Sequence, residues 1–564
     1  MKLARPPRMI RFPLHFLFAY CLAIPLTALS AKLAGEPGSI LNTPPDMTYY
    51  ARQGDTLSGI AQRYTGRPQN WGALAKRNKI ADDRAIPVGT AILIPLELLP
   101  EEASAARVTA LAGLASAKPV NGEESPLELG SVLQEGTQII TGKNGFLTLT
   151  LPDDSRISIP SNSQVGLSKL RKTRYTASPR TEITLLQGKI ESRIAPLSTN
   201  KGRFEVRSPL AVAGVRGTHF RVGLHQDGVA NEVLSGAVAV GHLDKPQALL
   251  LPAGKGNIIR RNAVGQAAGL LPPPQLNDAY RLQERTTLQF GVADMPDAAG
   301  YRVQLARDAD ALDVLAENRY QGKSFKFDGL DDGQYFIRVT AIDAAGLEGL
   351  PLVQGFTLKA RPEPPFTAQP KNKVRAAVVD FVWTEAAQAQ AYHLQVARDA
   401  GFQQLVLDRA DLTDVQFSSE QLSAGSYFWR VATIARNKTG LDQGPYSDAQ
   451  GFVLMPPQTL APLSDSGGNQ LAFGWASEPG QKFLVQIGKD AAFRDLYLSR
   501  ELEQAELTLP RPVAGQYFIR VRATDADGYV GAFSATQKLN IYSRWVSSDG
   551  EPVHAGQGML RAGD

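Results

Sequence analysis

Polar and apolar residues alternate with a period of two through much of the second half of the chain. The segment YRVQLARD, which starts at Tyr301, places Val303 and Leu305 on one face and polar side chains on the other. Related segments start at Tyr392 and Phe483, so the pattern recurs every 91 residues. Alternation of this kind is typical of strands with one buried face. The pattern therefore predicts three tandem all-β repeats.

A second motif follows each of these segments after 34 or 35 residues, and it reads GQYFIRV, GSYFWRV and GQYFIRV around Tyr335, Tyr427 and Tyr517. Proline clusters separate the copies and predict stiff, extended linkers. Short strands with glycine-containing turns in about 90 residues are typical of two-sheet sandwiches, whose aromatic residues lie mostly in the core. The expected repeats span residues 272–360, 361–455 and 456–542.

Two of the repeats carry a tryptophan ahead of the first motif, Trp383 and Trp475, and the other repeat has Val292 there. An early buried aromatic residue followed by a Gly-x-Tyr-x-x-Arg-Val strand resembles fibronectin type III or related immunoglobulin-like modules. The resemblance implies β-sandwich folds. Such repeats act as spacers or as binding surfaces, so their ligand stays open.

Helical spacing replaces the alternation near the N-terminus. Apolar residues recur every three to four positions in two short segments, which begin at Leu57 and Trp71. The turn at residues 54–56 contains an aspartate and a threonine, and either side chain can cap the first helix. Short apolar stretches at residues 49–52 and 90–95 predict strands on both sides. The expected module is βααβ.

This segment, residues 47–98, resembles a LysM domain. The shared residues are GDTL at 54–57, Ile60, Ala61, Tyr64, Trp71, Leu74, Asn78, Ile80, Ile86, Val88, Gly89, Thr90, Ile92, Ile94 and Pro95. The resemblance implies binding of N-acetylglucosamine-containing glycans, in bacteria chiefly peptidoglycan, through the loop entering the first helix and the loop leaving the second. The glycan-binding residues it implies are Gly54, Asp55, Thr56, Leu57, Asn78, Lys79 and Ile80. The same residues also suit structural roles as caps and core, and both roles can hold together.

The middle of the chain is dense in short strand patterns and has no helical pattern. FLTLTLPDDSRISIP, from Phe146, alternates on both sides of an Asp-Asp-Ser turn and predicts a hairpin. Gly214 and Gly217 predict a tight bend or a close backbone approach. Arg216 between them suits either partner binding or a structural bond to carbonyls or a carboxylate.

These segments, with VRGTHF from Val215 and SGAVAV from Ser235, resemble the periplasmic FecR domain, which we expect at residues 104–262. Proteins of the founding type relay an outer-membrane signal to a sigma factor through a cytoplasmic N-terminal segment. This chain departs from that pattern, because only about 13 residues precede its first apolar run, too few to fold alone. The resemblance therefore implies sensing or binding of an envelope partner.

The N-terminus has the pattern of a secretory signal peptide, residues 1–30. Four basic residues precede an apolar run of 16 residues from Leu14 to Leu29, and Ala28 and Ser30 are small residues before a cut at Ala31. The run is shorter than the roughly 20 residues of a spanning helix. Export to the periplasm or cell envelope with cleavage is expected, and an uncleaved anchor is the alternative.

The predicted leader changes the meaning of the charge. The chain has 60 basic and 55 acidic residues, and four of the basic ones lie in the leader, so the net charge falls from +5 to +1 on cleavage. Residues 156–221 nevertheless hold 13 basic residues against three glutamates. This excess is either a solvated face or a means of steering an acidic partner. No nucleic-acid partner is expected of an exported chain without a stacking platform.

Candidate chemistry is sparse along the chain. It has six histidines and one cysteine, Cys21, which lies in the predicted leader. His219 and His225 fall on one strand face, but no further ligand completes a metal site. Ser198 and Lys201 form a Ser-x-x-Lys pair without its companion motifs. We expect no catalytic residues, no metal and no cofactor.

The sequence therefore predicts a mostly β, multidomain, non-enzymatic cell-envelope protein. A LysM-like module would bind peptidoglycan, and a FecR-like domain and three β-sandwich repeats would bind a ligand or an envelope protein, ahead of a flexible tail at 543–564. No stable transmembrane segment is expected after processing. One alternative is a FecR-type signal transducer retained by an uncleaved anchor, and another is an envelope hydrolase whose site has no recognised motif.

Overall fold

The structure is a computed structural model of the chain. It describes residues 35–82, 86–195, 202–215, 217–225, 228–244, 248–438, 440–462, 469–542, 545, 547–549, 553–555 and 558–559. The predicted signal peptide, Arg216, the Ser198–Lys201 pair and most of the predicted tail lie outside these residues. Strands make up 53% of the chain and helices 5%, which confirms the mostly β, multidomain prediction. The chain forms two compact units that meet in sequence between Gly269 and Leu270. Across the described residues, no helix is both long and apolar enough to cross a membrane.

The N-terminal module has a three-stranded antiparallel sheet, in the order β1-β2-β3, and two short helices. Its elements are β1 (Ile40–Thr43), β2 (Asp46–Tyr50), α1 (Leu57–Thr65), α2 (Trp71–Asn78) and β3 (Ala91–Pro95), with 3-10 turns at Pro68–Asn70 and Leu96–Leu98. Strand β1 is an addition to the predicted βααβ order. The core contains, fully buried, Met47, Tyr49, Leu57, Ile60, Leu74, Ile92 and Ile94.

Local chemistry sets the ends of the helices. The Thr56 side chain accepts a hydrogen bond from the Gly59 amide at 3.1 Å and caps α1. Gly66 follows α1 and Lys79 follows α2 as the C-terminal cap, and both residues adopt left-handed backbone conformations. The threonine, and not the neighbouring aspartate, is therefore the cap.

The central domain consists of two ten-stranded sheets packed on one apolar core. One sheet has the order β22-β21-β18-β17-β14-β11-β10-β5-β8, with β23 beside β21, and the other β20-β19-β16-β15-β13-β12-β9-β6-β7, with β4 beside β12. The strands are β4 (Glu101–Ala103), β5 (Ala105–Ala112), β6 (Ala115–Lys118), β7 (Ser125–Pro126), β8 (Val132–Gln134), β9 (Gln138–Thr141), β10 (Phe146–Thr150), β11 (Arg156–Ile159), β12 (Gln164–Thr173), β13 (Pro179–Gln187), β14 (Lys189–Arg193), β15 (Arg203–Arg207), β16 (Ala211–Val215), β17 (His219–His225), β18 (Gly228–Ser235), β19 (Ala237–His242), β20 (Ala248–Pro252), β21 (Lys255–Arg260), β22 (Ala263–Val264) and β23 (Ala268–Gly269).

Strands β10 and β11 form the hairpin that the alternation predicts, with Leu147 opposite Ile159. Gly214 lies within β16, opposite Glu205. Gly217 has φ +61° and lies between β16 and β17, where a tight bend was expected. The pairs are antiparallel within both sheets, apart from the parallel pair of β13 and β15.

Each of the three repeats pairs a larger sheet with a smaller one. The larger sheets are β24-β30-β29-β26-β27, β32-β39-β37-β34-β35 with β38 beside β37, and β42-β41-β44-β45, and the smaller ones are β25-β28, β31-β33-β36 and β40-β43. The strands are β24 (Leu282–Gln283), β25 (Leu288–Gly291), β26 (Gly300–Ala306), β27 (Val314–Tyr320), β28 (Ser324–Phe327), β29 (Gly333–Ile342), β30 (Leu352–Leu358), β31 (Thr367–Gln369), β32 (Asn372–Arg375), β33 (Val379–Trp383), β34 (Ala389–Ala397), β35 (Leu405–Leu412), β36 (Gln416–Ser419), β37 (Gly425–Asn437), β38 (Gly440–Tyr446), β39 (Gln450–Met455), β40 (Gln470–Gly474), β41 (Lys482–Gly488), β42 (Leu496–Leu502), β43 (Glu506–Pro510), β44 (Gly515–Thr524) and β45 (Gln537–Ile541), and β46 (His554–Ala555) pairs with β47 (Gly558–Met559) in the tail.

The two recurring motifs are neighbouring central strands of each larger sheet. The glutamine of the first motif accepts a hydrogen bond from the arginine of the second, in the pairs Gln304 and Arg338, Gln395 and Arg430, and Gln486 and Arg520. In the second repeat the Arg430 guanidinium lies 3.9 Å from the ring centre of Phe402 and 4.1 Å from that of Tyr446. Phe493 and Phe533 enclose Arg520 in the same way. The motif arginines therefore join the two strands.

The aspartate that ends the first motif closes a turn. Asp308, Asp399 and Asp490 each accept a hydrogen bond from the backbone amide five residues later, at 2.7–2.8 Å. The residue three positions after each aspartate has a positive φ near 55°: Ala311, Phe402 and Phe493. The first motif therefore combines a strand with the turn that follows it, and all three repeats contain this combination.

Ion pairs join neighbouring repeats. Arg375, at the end of β32 in the second repeat, is 4% exposed and lies 2.9 Å from Glu478 and 3.4 Å from Asp525 of the third repeat. Lys359, at the end of the first repeat, lies 2.7 Å from Asp442 of the second. The Arg375 charge is buried, and a buried charge is costly when its partner is removed. These pairs therefore oppose bending at both junctions.

Candidate functional site

The two loops of the predicted glycan site meet at Ala51 in the N-terminal module. The Ala51 amide donates a hydrogen bond to the Thr90 carbonyl at 2.9 Å, and its carbonyl accepts one from the Gly89 amide at 2.8 Å. Ala51 opens the loop that enters α1, and residues 89 and 90 close the loop that leaves α2. The fold therefore holds the two loops side by side.

Open surface lies on both loops beside this contact. Gly54 and Gly89 both have φ +82°, and a Cβ atom at either position would meet nothing within 4 Å. Val88, next to Gly89, is an apolar residue with 55% of its surface exposed. A small polar ligand with an apolar face is suited to such a surface, because backbone groups and an apolar contact are both at hand.

Asp55 is buried and has three hydrogen-bond donors around its carboxylate. It accepts bonds from the Tyr49 hydroxyl at 2.5 Å, the Arg52 amide at 2.8 Å and the Arg63 guanidinium at 3.0 Å. Burial alone would raise the pKa of the Asp55 carboxyl, but these three donors hold that pKa below its usual range. The side chain therefore fixes the entry loop from within.

Tyr49 shares this cluster and is fully buried. Burial, followed by the hydrogen bond to the Asp55 carboxylate, raises the pKa of the Tyr49 hydroxyl to about 12. Arg63 donates to the same hydroxyl at 3.0 Å, and its guanidinium lies over the rings of Tyr49 and Tyr64. Tyr49 and Arg63 are not among the residues that the sequence predicts for the site. Arg63 lies in α1 whereas Asp55 precedes that helix, so no spacing along one helix pairs the two residues.

Two more of the predicted residues have interior partners. Leu57 is fully buried in the core. The Asn78 side-chain amide donates to the carbonyls of Leu74 and Leu93 at 2.9 and 2.8 Å, and its oxygen accepts from the Leu93 amide at 2.7 Å. Asn78 therefore fastens the end of α2 to β3.

The remaining predicted residues lie at the surface or at its edge. Gly54 and Lys79 are exposed, and Thr56 and Ile80 are half-buried. Ile80 packs one side against the core of the module. Of the seven predicted residues, four are therefore accessible to a ligand and three hold the loops in place.

The basic excess of the central domain is paired with acids that lie outside the basic stretch. The glutamates at positions 101, 102, 135 and 232 are distant in sequence and close in space. The pairs are Lys169 and Glu101 (2.7 Å), Arg171 and Glu135 (2.8 Å), Arg174 and Glu102 (2.7 Å), Arg221 and Glu232 (2.8 Å), and Lys189 and Glu232 (3.2 Å). The local excess of basic residues in the sequence therefore overstates the positive charge of this surface.

His219 and His225, which share strand β17, do not assemble a metal site among the residues described. His219 Nε2 lies 2.6 Å from Glu191 Oε1. In the part of the chain that the structure describes, no group of three or more histidine, cysteine, aspartate or glutamate residues is placed to hold a metal ion.

Comparison with known families agrees with the two N-terminal folds. Residues 49–95 match the family model of the LysM domain, and residues 137–239 match that of FecR protein. The chain carries a LysM domain and a FecR domain. Both predictions are confirmed, and both domains are of non-catalytic kinds that are typical of envelope proteins. No curated protein matches the chain.

Solved structures give weaker likenesses. A protein described as an anti-sigma factor from Parabacteroides distasonis matches in two crystal structures at 19% and 18% identity, each with a TM-score of 0.19, and each match covers 23% of this chain. The chain spans 57% of the length of those structures. The chicken CNTN1 FN1-FN3 domains match at 13% identity and a TM-score of 0.16, over 48% of this chain and 99% of that one. The domain assignments rest on the family models and on the fold described above.

Proposed function

We propose that this chain is an exported, non-enzymatic cell-envelope protein that binds peptidoglycan through its LysM domain. The FecR domain and the three sandwich repeats present further surface for an envelope protein or ligand. The observation that carries the proposal is the junction of the two loops at Ala51, with open surface at Gly54 on one side and at Gly89 on the other.

The proposed contact surface consists of Gly54, Thr56, Lys79 and Ile80, extended by Val88. Neutral acetamido sugars need hydrogen-bonding groups together with an apolar floor, and these residues supply both. Asp55, Leu57 and Asn78 support the surface from behind, since their side chains are taken up by interior partners. Binding then depends on a rigid backbone more than on any one side chain.

Sedimentation with purified peptidoglycan sacculi tests the proposal. The variant Gly54→Asn fills the open space of the entry loop with a residue that tolerates a positive φ. The matched control is Gly66→Asn, because Gly66 also has a positive φ (+70°) and open space but lies at the other end of α1. We expect Gly54→Asn to weaken binding by at least about tenfold, equivalent to about 1.4 kcal/mol.

The control should bind like the unaltered chain. Equal sedimentation of both variants would remove the proposed loops from the site, and no sedimentation of the unaltered chain would overturn the glycan proposal. Release of soluble sugar fragments in the same tubes would instead favour the envelope hydrolase.

The FecR match supports a second candidate, a signal transducer or regulator held by an uncleaved N-terminal anchor. N-terminal sequencing of the protein from the envelope separates the two. A chain that starts near Ala31 favours the exported binding protein, and one that keeps residues 1–30 favours the anchored regulator.

A further inference from the structure

A hairpin of the FecR domain reaches the LysM domain. The Tyr175 hydroxyl, in the turn between β12 and β13, donates a hydrogen bond to the Arg63 carbonyl at 3.1 Å. The Tyr175 ring packs edge-on against Tyr64, with 5.2 Å between the ring centres. Arg63 lies in the last turn of α1, where helix carbonyls lack partners within the helix. Tyr175 therefore caps a helix of one domain from the other.

The hairpin has a strained conformation that keeps Tyr175 in this place. Tyr175 has φ +73° and Ala177 has φ +51°, and a bulky residue with a positive φ is a genuine outlier. Hydrogen bonds among three buried hydroxyl side chains hold the turn. The side-chain oxygen of Thr176 lies 2.7 Å from that of Thr173 and 3.1 Å from that of Ser178. Strain that surrounding bonds maintain is typical of functional positions.

The chain between the two domains is also fastened. The Arg174 amide donates to the Pro100 carbonyl at 2.8 Å, and its guanidinium lies 2.7 Å from Glu102. Strand β4, which only five residues separate from β3, pairs with β12 of the FecR sheet. The LysM domain is thus joined to the last three residues of β12, directly beside the turn whose Tyr175 contacts α1.

A continuous path leads from Tyr175 to the proposed glycan surface. Tyr175 contacts Arg63 and Tyr64, and the Arg63 guanidinium donates to Asp55. Asp55 in turn accepts the Arg52 amide and fixes the loop that contains Gly54. The Arg63 side chain is 47% exposed, so packing against the tyrosine rings limits conformations that it would otherwise adopt.

We propose that Tyr175 of the FecR domain is a positioning residue for the glycan site of the LysM domain. It orders α1 and Arg63, and through Asp55 it orders the entry loop, so the two domains bind glycan as one unit. This inference rests on the proposed function for its ligand, but the ordering of the loop can be measured without any ligand.

The test uses the full chain with Tyr175→Gly, which keeps the positive φ at no steric cost and removes both contacts. Ala177→Gly is the matched control in the same turn, and Tyr175→Phe removes only the hydroxyl. Affinity for soluble N-acetylglucosamine oligomers is measured by titration calorimetry. Amide hydrogen exchange of residues 52–57 is measured without glycan.

We expect Tyr175→Gly to weaken binding by about threefold to tenfold and to speed exchange in the entry loop. Tyr175→Phe should give a smaller change in the same direction, and Ala177→Gly should change neither quantity. Unchanged binding and exchange in Tyr175→Gly would overturn the inference while leaving glycan binding intact. If the unaltered chain binds no oligomer, the proposed function fails, and faster loop exchange in Tyr175→Gly still supports the positioning role.

Discussion

The variant Asp55→Asn tests whether one buried carboxylate holds the entry loop of the LysM domain. Asparagine is nearly the same size as aspartate, so the core packing is preserved. It keeps one acceptor oxygen and replaces the other with an NH₂ group, which cannot accept a hydrogen bond. The donors of Arg52 and Arg63 approach different carboxylate oxygens, so one of the two must lose its acceptor.

The magnitude follows from these contacts. A hydrogen bond to a charged group contributes about 1.5–3 kcal/mol. The ion pair with Arg63 adds about 1 kcal/mol or less, because that side chain is half in solvent. The expected loss in free energy of unfolding is therefore about 1.5–4 kcal/mol. A module of about 50 residues has a total stability of about 2.5–7.5 kcal/mol, so the loss is a large share of it.

Hydrogen exchange followed by mass spectrometry reads this loss locally. Amides of residues 49–64 should exchange about 13-fold to 900-fold faster, the factor that corresponds to about 1.5–4 kcal/mol. Peptides from the three repeats should be unchanged and provide the internal standard. The control Asp331→Asn alters an aspartate whose side chain is 98% exposed and should have no effect. Unchanged exchange of residues 49–64 in Asp55→Asn would refute the role of the carboxylate.

Three further predictions concern acid, the repeat junctions and the motif arginines. The folded-state pKa of Asp55 is lowered, so its contribution to stability is complete above the unfolded pKa of about 4. That contribution is lost as the pH falls through the lowered pKa, and sacculus binding should fall with it. The variant Asp55→Asn should lack this acid transition. Arg375→Ala removes the buried partner of Glu478 and Asp525, so it should broaden the distribution of distances between spin labels in the second and third repeats. Arg285→Ala removes an arginine whose partner carboxylate is exposed, and it should leave that distribution unchanged. Arg430→Leu should destabilise the second repeat by about 1–2 kcal/mol more than Arg338→Leu destabilises the first, as measured by hydrogen exchange of each repeat. The reason is that two aromatic rings enclose Arg430. In the first repeat, Ala311 occupies the position that corresponds to one of those rings.

The spacing of apolar residues predicted most helices and strands, but it did not predict which polar side chains bond to one another. The spacing of apolar residues from Leu57 predicted α1, because one face of a short helix must supply most of a small core. Strand β1 was not predicted, since its alternating residues are only partly buried and carry little hydrophobic pattern. From the sequence, Asp55 was a candidate both for capping α1 and for contacting the ligand. The structure gives it donors from positions 49, 52 and 63, which only the folded backbone brings together.

The same limit applies to charge and to the two-domain contact. The window from residue 156 to residue 221 is basic in sequence, yet its partners Glu101 and Glu232 lie outside it on neighbouring strands. Tyr175 lies 112 residues from Arg63 and has no motif of its own. Contacts between distant segments depend on strand order, and strand order is not encoded in any local pattern.

Strand β4 has a practical consequence for dissecting the molecule. The sequence places a boundary between the first two domains near residue 100, and a protein chemist would cut there to study the FecR domain alone. The three residues of β4 would then sit at a frayed terminus, and losing them would uncover the edge of β12 at Arg171–Thr173. Unpaired strand edges promote association between copies. An excised FecR domain should therefore begin ahead of Glu101, and one that begins after Ala103 should self-associate.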